Sequence, residues 1–86
     1  MNTIEIKEDF FKSLKIVKDN STLKTIHQKI EQLKDRCPVG KKLVNSPYWS
    51  IRIDRYRIIY RFKGDKVTII RLLPRKYSYR ELGTLE

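Results

Sequence analysis

The chain has 86 residues, which is typical of one domain, and we expect a single domain over residues 1–86. A domain of this size buries only about 60% of its unfolded surface, so an elaborate enclosed pocket is excluded and a site must be an open groove. Lysine and arginine number 20 against 10 acidic residues, a formal net charge of +10. Such an excess predicts a polyanionic partner: nucleic acid, an acidic membrane surface or an acidic protein.

Cysteine content and hydropathy indicate in which cellular compartment the protein works. Cys37 is the one cysteine, so no internal disulfide can form, and a cytoplasmic location is favoured. No apolar run approaches the roughly 20 residues of a membrane helix, and residues 1–7 lack the apolar core of a signal peptide. We therefore expect no membrane partner.

In the first half of the chain, apolar and polar residues alternate briefly, and the apolar residues then recur at the spacing of a helix. Residues 3–7 alternate like a short strand, and Glu8 and Asp9 favour the start of a helix that ends near residues 19–20. Ser21 is a candidate N-cap for a second helix over residues 22–36, and the short break predicts a helical hairpin. The second helix carries one apolar stripe: Leu23, Ile26, Ile30 and Leu33.

In the second half of the chain, apolar residues recur at every second position, which is the period of a strand. Residues 41–47 are predicted to be a loop, followed by strands over residues 48–53, 56–62 and 67–73. In the first of these strands, Trp49, Ile51 and Ile53 share one face, and Tyr48, Ser50 and Arg52 share the other. The order β-α-α-β-β-β predicts an α+β fold with a four-stranded, mostly antiparallel sheet. The strand and helical hairpin would cover one sheet face and leave the other open.

Arginine is concentrated in the second half. Seven of the eight arginines lie there, where their planar forks can grip phosphate and stack on bases. Tyrosines lie among them, as in proteins that stack single-stranded RNA. No acidic cluster that could hold a metal is visible, and His27, inside the second helix, is expected to be a partly buried structural residue. We expect no cofactor and no small-molecule ligand.

Metal-free RNA cleavage remains available to such a surface. The 2′-OH can attack the adjacent phosphate if side chains move its proton and stabilise the charge that develops. Arginine, lysine and tyrosine can supply those roles.

The strand YRIIYRF (residues 56–62) and the turn after it resemble the RelE/ParE toxin superfamily of type II toxin–antitoxin systems. The ending LPRKYSYR (residues 73–80) resembles the basic-then-tyrosine ending of the RelE branch. RelE-like members are ribosome-dependent mRNA endoribonucleases that need no metal. ParE-like members share the fold and poison DNA gyrase.

The resemblance implies roles for particular residues. Arg57 corresponds to the arginine that stabilises the scissile phosphate, and Arg52 to a basic residue on the preceding strand. Arg75 or Lys76 corresponds to the basic residue after the last strand, and Tyr79 to the C-terminal tyrosine. Ser50 stands where RelE-like proteins often have a second basic residue, which leaves the general base open between Lys76 and Tyr79. We also expect RNA contacts from six residues: Tyr48, Ser50, Arg61, Arg71, Arg75 and Tyr77.

The leading hypothesis is therefore a toxin that cuts mRNA on the ribosome and stops translation. Its partners would be mRNA, the ribosome and a cognate, acidic antitoxin encoded nearby. Two alternatives stay open: a ParE-like inhibitor of DNA gyrase, and a catalytically inactive RNA-binding relative.

Overall fold

A five-stranded sheet covered by helices on one face forms the molecule. The structure is a computed structural model, and it describes residues 2–43 and 47–74. The elements in chain order are β1 (Thr3–Ile6), α1 (Glu8–Ser13), a 3-10 helix (Leu14–Ile16), α2 (Asn20–Gln32), β2 (Lys41–Lys42), β3 (Tyr48–Ile53), β4 (Tyr56–Lys63) and β5 (Lys66–Pro74). The α+β class and the mostly antiparallel sheet are confirmed. The predicted strand count is wrong, because residues 41–42 form β2 instead of a loop.

The spatial order of the strands is β1-β5-β4-β3-β2. β1 runs parallel to β5, and every other pair of neighbours is antiparallel. The helices pack on one face, α1 against β5 and α2 against β3. This core face buries the stripe of α2 together with alternate residues of the strands, as the periodicity predicts: Ile26, Ile30, Leu33, Ile51, Ile53, Ile58, Tyr60, Val67, Ile69 and Leu72.

Side chains near the helix ends set where the helices begin and end. Asp19, not the predicted Ser21, is the N-cap of α2: its carboxylate accepts from the Ser21 backbone N–H at 3.1 Å and from the Thr22 hydroxyl at 2.9 Å. These hydrogen bonds lower the pKa of Asp19. At the end of α1 the Ser13 hydroxyl donates to the Phe10 carbonyl and accepts from the Leu72 N–H, which ties α1 to β5.

A buried tyrosine fastens the connection between α2 and β2 to the sheet. The Tyr60 hydroxyl accepts from the Val39 N–H at 2.8 Å and donates to the Val39 carbonyl at 2.5 Å. Burial raises the pKa of Tyr60, so the hydroxyl remains a donor at neutral pH. The segment leading into β2 is thereby held over the middle of β4.

We expect Tyr60→Phe to lower the free energy of unfolding by about 1–3 kcal/mol, because the variant leaves two backbone groups of Val39 without their partner. Tyr56→Phe is the matched control, since the Tyr56 hydroxyl makes one longer bond, 3.3 Å, to the Ile16 carbonyl at an exposed position. Urea unfolding measures both. Equal losses in the two variants would contradict a special role for the Tyr60 hydroxyl.

A glycine allows β2 to approach β3. Gly40 has φ +92, and a Cβ at this position would overlap the carbonyl oxygen of Ser50. Both the left-handed backbone and the close approach therefore require glycine here. The residue that follows, Lys41, pairs directly with Ser50.

Gly40→Ala should destabilise the protein more than Gly64→Ala does. Gly64 also has a positive φ of 62, but open space surrounds it, so alanine costs only the backbone term of about 1–2 kcal/mol. At Gly40 the overlap with Ser50 adds to that term. Urea unfolding of the two variants tests the difference, and a Gly40→Ala loss no larger than that of Gly64→Ala would be the contrary result.

The opposite sheet face, here called the arginine face, carries Ser50, Arg52, Arg57 and Arg61. Its centre is not open to solvent, contrary to the sequence-based expectation. A second buried cluster lies there, made of Tyr48, Ile59, Ile70 and Leu73 with Leu43 against it. A bulge between β4 and β5 at Ile59 contributes to this cluster.

Candidate nucleic-acid interface

The hairpin of β3 and β4 orders the side chains of the arginine face in rungs. Directly opposed residues of an antiparallel pair point to the same face. Three rungs follow one another along the hairpin: Tyr48 opposite Arg61, Ser50 opposite Ile59, and Arg52 opposite Arg57. Two predicted catalytic residues, Arg52 and Arg57, are therefore direct neighbours, as strand-face parity predicts.

The rung of Arg52 and Arg57 is electrostatically unusual. Like charges directly opposite each other across two strands repel and destabilise the pairing. Arg52 is exposed, whereas Arg57 is half-buried and its Nε atom is fully buried in the sheet surface. Neither β3 nor β4 contains an acidic residue. An anion bound across both guanidinium groups would convert this repulsion into attraction, which is the arrangement that a phosphate-binding site needs.

Tyr48 and Ser50, which are predicted to contact RNA, are buried in the arginine face. Tyr48 is 6% exposed and Ser50 is 5% exposed. Their side chains support the surface from below, so little of either is available to a strand lying over the face.

Lys41 is a basic residue of the arginine face that the sequence did not reveal. It lies on β2 opposite Ser50, so its exposed side chain points to the arginine face and lies diagonally from Arg52. Diagonal neighbours on adjacent strands are about 7–8 Å apart, within reach of long side chains. Lys42, the next residue, opposes Trp49 and points the other way. Only the Gly-Lys-Lys sequence after a helix end could have hinted at this strand.

Two predicted RNA-binding arginines, Arg61 and Arg71, lie apart from the Arg52 and Arg57 rung. Arg61 is opposite Tyr48 on one side and Thr68 on the other, toward the turn between β4 and β5. Arg71 makes an ion pair with Asp9 of α1, with 3.1 Å between Nη2 and Oδ2. This contact directs the Arg71 guanidinium toward α1.

Four predicted site residues fall outside the described residues: Arg75, Lys76, Tyr77 and Tyr79. His27 was predicted to be partly buried, and this is wrong: its side chain is 76% exposed on α2, with Nε2 4.0 Å from Glu31. Within residues 2–43 and 47–74, no three histidine, cysteine or acidic side chains come together as metal ligands. In the same residues no helix has the length and apolar character to cross a membrane.

Comparison with known protein families shows to which family the chain belongs. A family model described as the ParE toxin of type II toxin–antitoxin systems, parDE, matches residues 4–79. The chain belongs to this toxin family. The resemblance to the RelE/ParE superfamily inferred from the strands is thereby confirmed. None of the curated proteins compared with the chain matches it significantly.

Solved structures of toxins share the fold. The chain is 28% identical to a chain of the RelB–RelE antitoxin–toxin complex from Methanococcus jannaschii, with a TM-score of 0.72 over 84% of this chain and 91% of that one. A variant of E. coli RelE in the free state has 13% identity and a TM-score of 0.70, covering 96% and 90%. A ParDE system from P. aeruginosa has 17% identity and a TM-score of 0.59, covering 86% and 96%.

Proposed function

We propose that this toxin is a ribosome-dependent, metal-independent mRNA endoribonuclease of the RelE type. The observation that carries the proposal is the rung of Arg52 and Arg57, two cations side by side on strands without an acidic residue. Lys41 extends the same cationic surface from β2. The 28% identity to a chain of the archaeal RelB–RelE complex supports the RelE assignment.

The reaction would use the RNA's own nucleophile. The 2′-oxygen attacks the adjacent phosphorus, the bond to the 5′-oxygen of the next nucleotide breaks, and the products are a 2′,3′-cyclic phosphate and a free 5′-OH. A base removes the proton of the 2′-OH, and an acid protonates the departing 5′-oxygen. DNA lacks this nucleophile, so a DNA strand held in the same way would not be cut.

The arginines would stabilise the charge that grows on the phosphate. Arg57 is half-buried and thus held in orientation, which suits a donor directed at the developing oxyanion. Arg52, opposite it and more exposed, would grip the same phosphate from the side of β3. Lys76 and Tyr79 are the proposed proton-transfer groups, on the resemblance alone.

The partners follow from the same surface. Ribosomal RNA and mRNA supply the polyanion that a net charge of +10 attracts. A cognate antitoxin, acidic and able to cover basic surface, would keep the toxin inactive. In the M. jannaschii complex, an antitoxin, RelB, is named together with RelE.

A second candidate function is inhibition of DNA gyrase. The matching family model carries the ParE name, and the P. aeruginosa ParDE system shares the fold. A gyrase inhibitor would bind a protein and would need no alignment of arginines for phosphate chemistry. It would block supercoiling and leave mRNA intact.

Mapping the 5′ ends of mRNA in a translating extract distinguishes these functions. The nuclease should create new 5′-OH ends inside reading frames, and only in transcripts that are being translated. If no new ends appear and the protein blocks supercoiling by purified gyrase, the protein is a gyrase inhibitor instead. Salt-sensitive RNA binding without either effect would indicate an inactive relative.

Arg57→Ala should slow mRNA cleavage by about 100- to 1000-fold, the usual loss when one oriented donor to an oxyanion is removed. Cells expressing this variant should continue to translate. Arg55→Ala is the matched control, because Arg55 is an exposed arginine of the adjacent turn. Full toxicity of Arg57→Ala would disprove its assigned role.

Lys41→Ala should slow cleavage by about 10- to 100-fold, since a charged hydrogen bond contributes about 1.5–3 kcal/mol and each 1.4 kcal/mol is a factor of ten. Lys42→Ala removes the same charge from the neighbouring residue on the other face and should have little effect. Equal effects of the two substitutions would mean that overall charge, not the position of Lys41, matters.

A further inference from the structure

A second concentration of positive charge lies at the far end of the arginine face. An open cavity of about 540 Å³ lies beside the turn between β4 and β5, lined by Pro47, Arg61, Lys63, Lys66 and Thr68. We call it the basic pocket. Three of its five lining residues are cations. Thr68 also lines it but is 2% exposed, so its hydroxyl contributes little.

The strand register brings these side chains together. Lys63 pairs with Lys66, and Arg61 pairs with Thr68, so the four residues point to the same face from two adjacent strands. The lysines flank a tight turn whose Gly64 has a positive φ of 62. The pocket is therefore built on regular strands that hold its cations in fixed relative positions.

One acidic side chain stands at the rim of the basic pocket. Glu5 of β1 is the register partner of Thr68, and its carboxylate lies 2.8 Å from the Lys66 ammonium and 3.8 Å from that of Lys7. Lys66, through a hydrogen bond and its charge, lowers the pKa of Glu5, and the charges of Lys7 and Arg61 lower it further. Arg61 is thus within electrostatic reach of the same point. Glu5 therefore carries one negative charge among the positive charges of Lys7, Lys66 and Arg61.

We propose that the basic pocket binds a backbone phosphate of the RNA strand whose scissile phosphate lies at Arg52 and Arg57. This inference rests on the proposed function. Arg57 and Arg61 are four residues apart on β4, or roughly 14 Å at about 3.4 Å per residue. A strand that follows β4 therefore reaches both places, and its grip at the basic pocket fixes the position of the phosphate to be cut.

The Lys63→Ala/Lys66→Ala double variant tests the grip. The probe is a short single-stranded RNA with 2′-O-methyl groups, which binds but cannot be cut. We expect about tenfold weaker binding and a slope of log affinity against log salt that is shallower by about 0.7, the contribution of one single-strand phosphate contact. Lys29→Ala/Lys34→Ala, with Lys29 on α2 and Lys34 just after it, removes the same charge elsewhere and should change both much less. Equal losses in the two double variants, or none in the first, overturn the proposal.

Glu5→Gln provides a second test, in which RNA affinity is expected to rise instead of fall. Removal of the carboxylate frees Lys66 and should strengthen RNA binding several-fold, whereas an ion pair that only stabilises the fold would give no gain. Glu31→Gln is the matched control, because Glu31 is 2.9 Å from Lys34 in a similarly exposed pair at the C-terminal end of α2. Unchanged or weaker RNA binding by Glu5→Gln contradicts the proposal.

These measurements separate the basic pocket from the nuclease proposal. If no mRNA is cut but Lys63→Ala/Lys66→Ala still loses RNA affinity, the phosphate site stands and the nuclease proposal fails. If the double variant slows cleavage at saturating RNA without loss of affinity, the site is not a grip and the inference fails. Weaker binding to ribosomes with unchanged binding to the free strand assigns the pocket to ribosomal RNA and also overturns it.

Discussion

The register between β3 and β4 is the constraint on which the arginine face depends. A strand pairing shifted by one residue would turn every side chain to the opposite face. Two features hold the register: the tight turn at Asp54 and Arg55, where Asp54 takes a positive φ of 48, and the burial of Ile51 opposite Ile58 in the core. Aspartate tolerates this left-handed backbone better than most residues. Apolar packing on one face thereby sets the position of Arg52 opposite Arg57 on the other.

The position of Lys41 depends on different contacts. β2 has only two residues, too few to be stable as an isolated pairing. It is held by the hydrogen bonds of Tyr60 to Val39 just before it and by the approach of Gly40 to Ser50. Tyr60 lies on β4 between Ile59 and Arg61, so the strand that presents arginines on one face also fastens the lysine-bearing strand through the other. The core and the candidate site are therefore connected through β4.

Much of this arrangement follows from periodicity alone. Alternation along β3 and β4 predicted both faces, because a strand that buries one side leaves no choice for the other. β2 was missed because Lys41 and Lys42 carry no apolar signal and their pairing depends on contacts distant in sequence. The N-cap was placed at Ser21 because both Asp19 and Ser21 suit that role, and only the geometry shows Ser21 donating to Asp19. His27 was misplaced because its apolar neighbours Ile26 and Ile30 do not share its side of the helix.

The two ends of the arginine face differ in how their charge is balanced. At the Arg52 and Arg57 rung neither of the two strands carries an acidic residue. At the basic pocket Glu5 holds Lys66 in place and offsets part of the charge. A site that stabilises growing charge benefits from cations without a carboxylate on the same strands, whereas a site that only grips must also release its ligand. Glu5 beside the basic pocket, and strands without a carboxylate at the Arg52 and Arg57 rung, are consistent with the proposed surface, which would hold one phosphate of a strand and react at another.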